Sequence, residues 1–287
     1  AYNWQVSIDG NADSQNHVAV DDGTVYITDD SGRFYFLSTD DGEEIGRIEF
    51  NERCLSGPAI TGDNAFVSMF GPTDPDAYPE KAEDWVFTGG DASEEVQRDL
   101  VAMDGSGTIH KTAPQTGDVV WSVSMPDFVT VTPTVVDGTV YVGSWDGYLY
   151  ALDAADGDEE WRYELSTPVT GDASVADGTV YIGDWDGTLH AVSTAGDREW
   201  ILPSDLDDAR ITTKPAIADD VVYVNTNRGI IAADSDGRQL WEFQGRQRWF
   251  DESSPAVVDG SLFVCGGVGS RTIDGEKELI GGLYKVV

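Results

Sequence analysis

The sequence predicts an all-β chain: a single β-propeller of four-stranded antiparallel blades, six in number, with seven as the alternative count. Three observations predict it. Residues 135–151, opening Val135-Val136-Asp137-Gly138-Thr139-Val140-Tyr141, return almost verbatim at 175–191, forty residues on. Asp-Gly pairs cut each copy into short β-branched and aromatic runs, and such pairs mark hairpins because Gly accepts positive φ without steric cost. Trp121, Trp161, Trp200 and Trp241 follow one another at spacings of 40, 39 and 41, each four residues after Gly117, Gly157, Gly196 or Gly237. Four short strands per forty-residue repeat make a propeller blade.

The clearest copy sets the element boundaries. Strand A is expected at about 131–136, strand B at about 139–144, strand C at about 147–152 and strand D at about 159–164. The connecting turns are Asp137-Gly138, Trp145-Asp146-Gly147 and the stretch from Asp153 to Gly157. The first unit, at 17–50, keeps Gly23-Thr24-Val25-Tyr26-Ile27 but has Gly46 where the Trp would fall. The second unit starts at Ser56-Gly57-Pro58 and ends at Trp121, which leaves about 70–104 as an insertion between its strands B and C. Counting Trp85 as a further closing residue gives the seven-bladed alternative. Residues 253–287 supply strands A to C without a closing Trp strand. Trp4-Gln5-Val6 at the other end matches the missing strand, so an N-terminal strand is expected to complete the C-terminal blade, close the ring and leave no open sheet edge. The whole of 1–287 then forms one domain.

Composition limits the partners. There are 53 acidic residues against 17 Lys and Arg, five of them Lys, for a net charge of −36. Nucleic acid and anionic membranes would be repelled. Thirty aromatic residues argue for a packed core rather than an acidic disordered chain. An acidic, Lys-poor surface resembles that of proteins from halophilic organisms, because molar salt shortens the Debye length to roughly 3 Å and screens crowded carboxylates. No apolar run approaches the roughly 18 residues of a membrane-spanning helix, so no membrane insertion is expected. Cys54 and Cys265 are too few for a disulfide framework or a metal cluster and are expected to be free and buried, Cys265 standing at the strand position of Gly143 and Gly183.

The stretch Ala151-Leu152-Asp153-Ala154-Ala155-Asp156-Gly157-Asp158-Glu159-Glu160-Trp161 resembles the tryptophan-docking motif of the pyrroloquinoline-quinone-like β-propeller repeat family. Residues 191–200 and 232–241 match it with one residue deleted. The resemblance implies that Trp4, Trp121, Trp161, Trp200 and Trp241 pack between neighbouring blades. It implies fold more than chemistry. Quinone dehydrogenases of the family are longer, typically eight-bladed, and carry a calcium site and commonly a disulfide between adjacent cysteines. This chain has no adjacent cysteines, so neither pyrroloquinoline quinone nor calcium is expected. A propeller of the family that assists outer-membrane β-barrel assembly works without quinone. Family habit places such propellers at the cell surface or outside the cell, and a monomer is expected.

No G-x-S-x-G, G-x-G-x-x-G, C-x-x-C or H-E-x-x-H motif occurs. His110 and His190 stand at the strand position of Tyr150, which favours a strand role, and His17 has no motif partner. The departures from the repeat gather instead on the face that carries the D–A connections and B–C turns. Trp145 and Trp185 stand in adjacent B–C turns, Arg210 and Arg228 in nearby connections, and Arg246, Arg248, Trp249 and Phe250 in one D–A loop. Exposed Trp and Arg are enriched at binding hot spots. The sequence therefore predicts no catalytic or metal-ligating residue but a binding or scaffold propeller, holding a protein or peptide partner on this face. The alternative reading is an enzyme, a quinone-dependent oxidoreductase or a hydrolase with its site in the central funnel. A third assigns these Trp and Arg residues only to covering blade ends and neutralising acids.

Overall fold

The structure is a computed structural model that describes residues 4–8, 18–72, 107–165, 167–244, 254–273 and 276–286, with backbone alone from 265 onward. It contains six antiparallel sheets. The chain falls into two compact units, residues 1–135 with 154–157, and residues 136–153 with 158–287.

The first unit holds two sheets. One runs β1 (Ala19–Asp21), β2 (Thr24–Thr28), β3 (Arg33–Ser38), β4 (Glu44–Glu49) in that spatial order. The other is built on β7 (Asn64–Pro72), β8 (Gly107–Ala113) and β9 (Asp118–Met125), with both β5 (Glu52–Arg53) and β6 (Ala59–Thr61) pairing to β7. Strands β7 and β8 pair without a break from Ala65↔Thr112 to Phe70↔Gly107. Strand β7 runs to Pro72 and β8 starts at Gly107, so residues 73–106 lie between these two paired strands in the sequence. What 73–106 do, and with them Trp85, lies outside the described residues.

The second unit holds four sheets. They are β10 (Thr134–Val136) to β13 (Glu159–Glu164) by way of β11 (Thr139–Gly143) and β12 (Tyr148–Asp153); β14 (Ser174–Ala176), β15 (Thr179–Gly183), β16 (Thr188–Ser193), β17 (Arg198–Pro203); β18 (Ala216–Ala218), β19 (Val221–Thr226), β20 (Gly229–Asp234), β21 (Gln239–Gln244); and β22 (Ala256–Val258), β23 (Ser261–Ile273), β24 (Glu276–Val286). The last sheet has three strands among the described residues. Residues 4–8, expected to add its fourth, carry no strand assignment.

The A–B turns follow the sequence reading. Asp137 and Gly138 lie at φ 51° and 87°, Asp177 and Gly178 at 50° and 81°, as a two-residue turn with both φ positive requires. The central strands of the second unit are largely buried, β15 at every residue, whereas the outer β13 and β17 alternate between exposed and partly exposed. That is the pattern of sheets stacked face to face, with inner strands covered on both sides. Phe34, Phe36, Val67 and Met69 fill one interface of the first unit. Leu149, Val169, Val180 and Ile182, then Leu189, Ile211, Val222 and Ile231, fill successive interfaces of the second.

Each strand D carries a bulge beside its Trp. In β13 the ladder passes from Ala151↔Trp161 to Leu152↔Glu159, leaving Glu160 as the extra residue. The same slip leaves Val120, Glu199 and Leu240 unpaired next to Trp121, Trp200 and Trp241. A bulge re-aims the adjacent side chain, and here the indole leaves its own sheet for the next C–D turn. Trp4, Trp121, Trp161 and Trp200 donate Nε1–H to the carbonyls of Thr39, Ala154, Thr194 and Ser235 at 2.9, 3.3, 3.0 and 2.8 Å. The glycine of that turn is required twice over. At Gly196 φ is +91°, and a Cβ would stand 2.9 Å from the Trp161 ring. Trp241 lies tilted against Tyr223, ring centroids 6.0 Å apart, as Trp161 does against Tyr141 and Trp200 against Tyr181.

The blade without a Trp has a compensating residue. Ala151, Ala191 and Ala232 face Trp161, Trp200 and Trp241 across the strand pair, whereas Phe36 faces Gly46. The large side chain has moved from strand D to strand C, where Phe36 meets Tyr26 edge-on at 5.9 Å.

Candidate functional site

The site lies in the second unit, on its B–C turns and D–A connections. Those turns are held open and rigid by the connections that run beneath them. The backbone N–H of Val169 donates to Ser144 O at 3.1 Å, that of Trp185 to Pro168 O at 3.2 Å, and that of Ile211 to Asp184 O at 2.9 Å. Gly143 and Gly183 allow this approach, since a Cβ on either would overlap Val169 or Ile211.

Within the turns, buried side chains fix the backbone. Asp184 accepts from the N–H groups of Asp186 and Thr188 at 3.0 and 2.9 Å, and its other oxygen meets His190 Nε2 at 3.0 Å. His190 Nδ1 lies 3.3 Å from the Tyr163 hydroxyl. The strand role expected of His190 is thus to hold a turn in shape. In the neighbouring blade Asp146 accepts from Tyr150 Oη at 2.5 Å, which with burial pushes the Tyr150 hydroxyl well above its ordinary range.

On this frame stand four of the eight residues that the sequence singled out for binding. The Trp145 and Trp185 rings lie 5.5 Å apart at 53°. Trp185 Nε1 donates to Thr170 Oγ1 at 2.8 Å, which fixes the ring. The Arg210 guanidinium stands over the other part of that ring, 5.1 Å from its centroid. The Arg210 backbone is placed in turn by Asn227, whose Oδ1 accepts the main-chain N–H of Arg210 at 2.9 Å. Arg228 completes the group but pairs with Asp208 at 3.2 Å, so part of its charge is offset. Both Trp residues are partly exposed. Arg246, Arg248, Trp249 and Phe250 lie outside the described residues.

Thr170, Asp208 and Asn227 escaped sequence reading. Each acts through a neighbour from a connection with no repeat register, and no spacing marks it. Elsewhere, Cys54 is free and fully buried, with its Sγ 3.2 Å from the carbonyls of Ser56 and Ser68, and burial pushes its thiol up. The Cys265 side chain and His17 lie outside the described residues. Among the described residues no three His, Cys, Asp or Glu side chains converge to hold a metal ion, so they do not fit the calcium support of a quinone. No helix among them is long and apolar enough to cross a membrane.

Stacked antiparallel sheets, with Trp4, Trp121, Trp161 and Trp200 docked on the glycine turns at Gly42, Gly157, Gly196 and Gly237, define a tryptophan-docked β-propeller. The chain belongs to the pyrroloquinoline-quinone-like propeller family, through the family model described as outer membrane protein assembly factor BamB, which matches residues 2–94 and 105–274. No curated protein matches it. Among solved structures it is similar to BamB from Moraxella catarrhalis at 17% identity and a TM-score of 0.64, covering 92% of this chain and 72% of that one. It is also similar to the quinohemoprotein alcohol dehydrogenase ADHIIG from Pseudomonas putida HK5, at 16% identity and a TM-score of 0.71, covering 98% of this chain but 57% of that one. Likeness at these identities establishes fold alone.

Proposed function

We propose that this propeller is a non-catalytic binding module that holds a protein or peptide partner on the Trp145, Trp185, Arg210 and Arg228 face. The observation that carries the reading is the group itself, two partly exposed indoles 5.5 Å apart with the Arg210 guanidinium 5.1 Å from the Trp185 ring, whose Nε1 is held by Thr170. Indole and guanidinium together recognise an apolar or aromatic side chain next to a carboxylate or a backbone carbonyl. Because Thr170 already holds the Trp185 indole, little of that side chain's entropy is lost on binding. The family model's description, an assembly factor, agrees with a role in holding other proteins. The test is selection of displayed peptides against the intact chain, followed by titration of the selected peptide against the double variant Trp185→Ala/Arg210→Glu. The reading expects at least a tenfold weakening at this face, about 1.4 kcal/mol. Selected peptides that bind the double variant as well as the wild type would refute it.

A further inference from the structure

A second group of reactive side chains lies in the first unit, and the propeller plan does not account for it. Strand β5 is an addition to the four-stranded blade, and it brings Glu52 beside β8 and β9. His110 on β8 faces Ser122 on β9 as a cross-strand pair. His110 Nδ1 lies 2.8 Å from Ser122 Oγ, and His110 Nε2 lies 2.9 Å from Glu52 Oε2. The other carboxylate oxygen of Glu52 accepts from Thr108 Oγ1, and Phe50 stacks on the imidazole at 4.6 Å. His110 is buried, with 7% of its surface exposed, and Ser122 is exposed. Position, orientation and access are thus all set.

The proton arrangement follows from the partners. Partial burial works to raise the Glu52 carboxyl, but hydrogen bonds from His110 and Thr108 and the nearby imidazole charge hold it below its ordinary range. An ionised Glu52 only accepts, so in the tautomer that carries its proton on Nε2, facing Glu52, His110 leaves Nδ1 to accept the Ser122 O–H. That is the order of nucleophile, base and orienting acid found in serine hydrolases, with the ring turned so that its two nitrogens exchange partners. The corresponding pairs in other blades are Tyr35↔Arg47, Tyr150↔Arg162, His190↔Ile201 and Ile231↔Glu242, none of which joins a nucleophile to a base.

We propose that Ser122 is a covalent acylation site, activated by His110 and oriented through Glu52, whose substrates are activated carboxylic esters. Ser122 Oγ attacks the ester carbonyl carbon while its proton passes to His110 Nδ1. The tetrahedral species collapses with loss of the alkoxide or aryloxide, which takes the proton back from His110. The products are the Ser122 acyl ester and the free alcohol or phenol, with His110 neutral again. General-base assistance of this kind contributes roughly 10² to 10⁴ in rate.

The intact chain is treated with p-nitrophenyl acetate and, separately, with a fluorophosphonate probe, and the modified residue is located by peptide mass spectrometry. The expected result is modification at Ser122, slowed at least about a hundredfold in His110→Gln and to a smaller degree in Glu52→Gln. Because His110→Gln removes a buried group, a second pair supports the reading: Ser122→Cys is alkylated by iodoacetamide at residue 122 faster than Ser122→Cys/His110→Gln. Absence of modification at Ser122, or equal rates with and without His110 in either series, overturns the proposal. The binding face contributes to none of these readouts.

Discussion

Asp220 is the least comfortable residue of the A–B turns. It stands at φ 60°, in the second turn position that Gly138, Gly178 and Gly260 occupy in other blades. Positive φ costs a non-Gly residue roughly 1 to 2 kcal/mol, part of which Gly returns as unfolded-state entropy. Asp220→Gly should therefore raise stability by about 0.5 kcal/mol, read as a higher urea midpoint with an unchanged slope; a lower midpoint contradicts the strain. Gly196→Ala tests the opposite case, since its φ of +91° and the Trp161 ring 2.9 Å away both exclude a methyl. It should cost about 2 kcal/mol or more, and a thermal midpoint equal to wild type would show the docking turn to be adaptable. The Phe36 and Gly46 exchange makes a third prediction. Phe36→Ala leaves a cavity and Gly46→Trp overfills the site, but together they reproduce the Ala and Trp pairing of the blades that carry Trp161, Trp200 and Trp241. A double-mutant cycle should give a favourable coupling of about 1 to 3 kcal/mol, and additivity would refute the exchange. That complementarity could have been read from the sequence, since the residue opposite each Trp in the later blades is Ala, had strand register been fixed first.

At the scale of the element, strand identity and turn type were legible because Asp-Gly pairs and the Trp period state the same register independently. The strand D bulge was not, since one extra residue leaves no mark on a hydrophobic pattern. Nor was β5, two residues long and outside the repeat. The Glu52, His110 and Ser122 group was hidden for a related reason: it joins a cross-strand pair to a residue 58 positions from His110, which only pairing brings near. This group also couples the sheet to pH. Because the folded Glu52 carboxyl is held below its ordinary value, its contribution is complete above the unfolded value and is lost as pH falls through the folded one. Wild type should therefore lose more stability than Glu52→Gln on acidification below about pH 4.5, and parallel stability curves for the two would contradict this linkage.

For the whole molecule, the net charge of −36 belongs mainly to exposed turns and outer strands, while the cores are apolar. We propose that the fold depends on salt. At molar ionic strength the Debye length shrinks to roughly 3 Å and repulsion between neighbouring carboxylates is screened, so the thermal midpoint should rise steeply from dilute buffer to molar salt; a midpoint independent of salt would exclude this. Trp145, Trp185, Arg210 and Arg228 stood out in the sequence against an acidic repeat, but the contacts that bring Trp145, Trp185 and Arg210 together could not be read from it, because no spacing marks them. That group is the central claim, and titration calorimetry of the selected peptide against wild type and Trp185→Ala/Arg210→Glu tests it most directly. The account predicts a Kd at least ten times weaker in the variant, with the fold retained by circular dichroism. An equal Kd in the two proteins would contradict it.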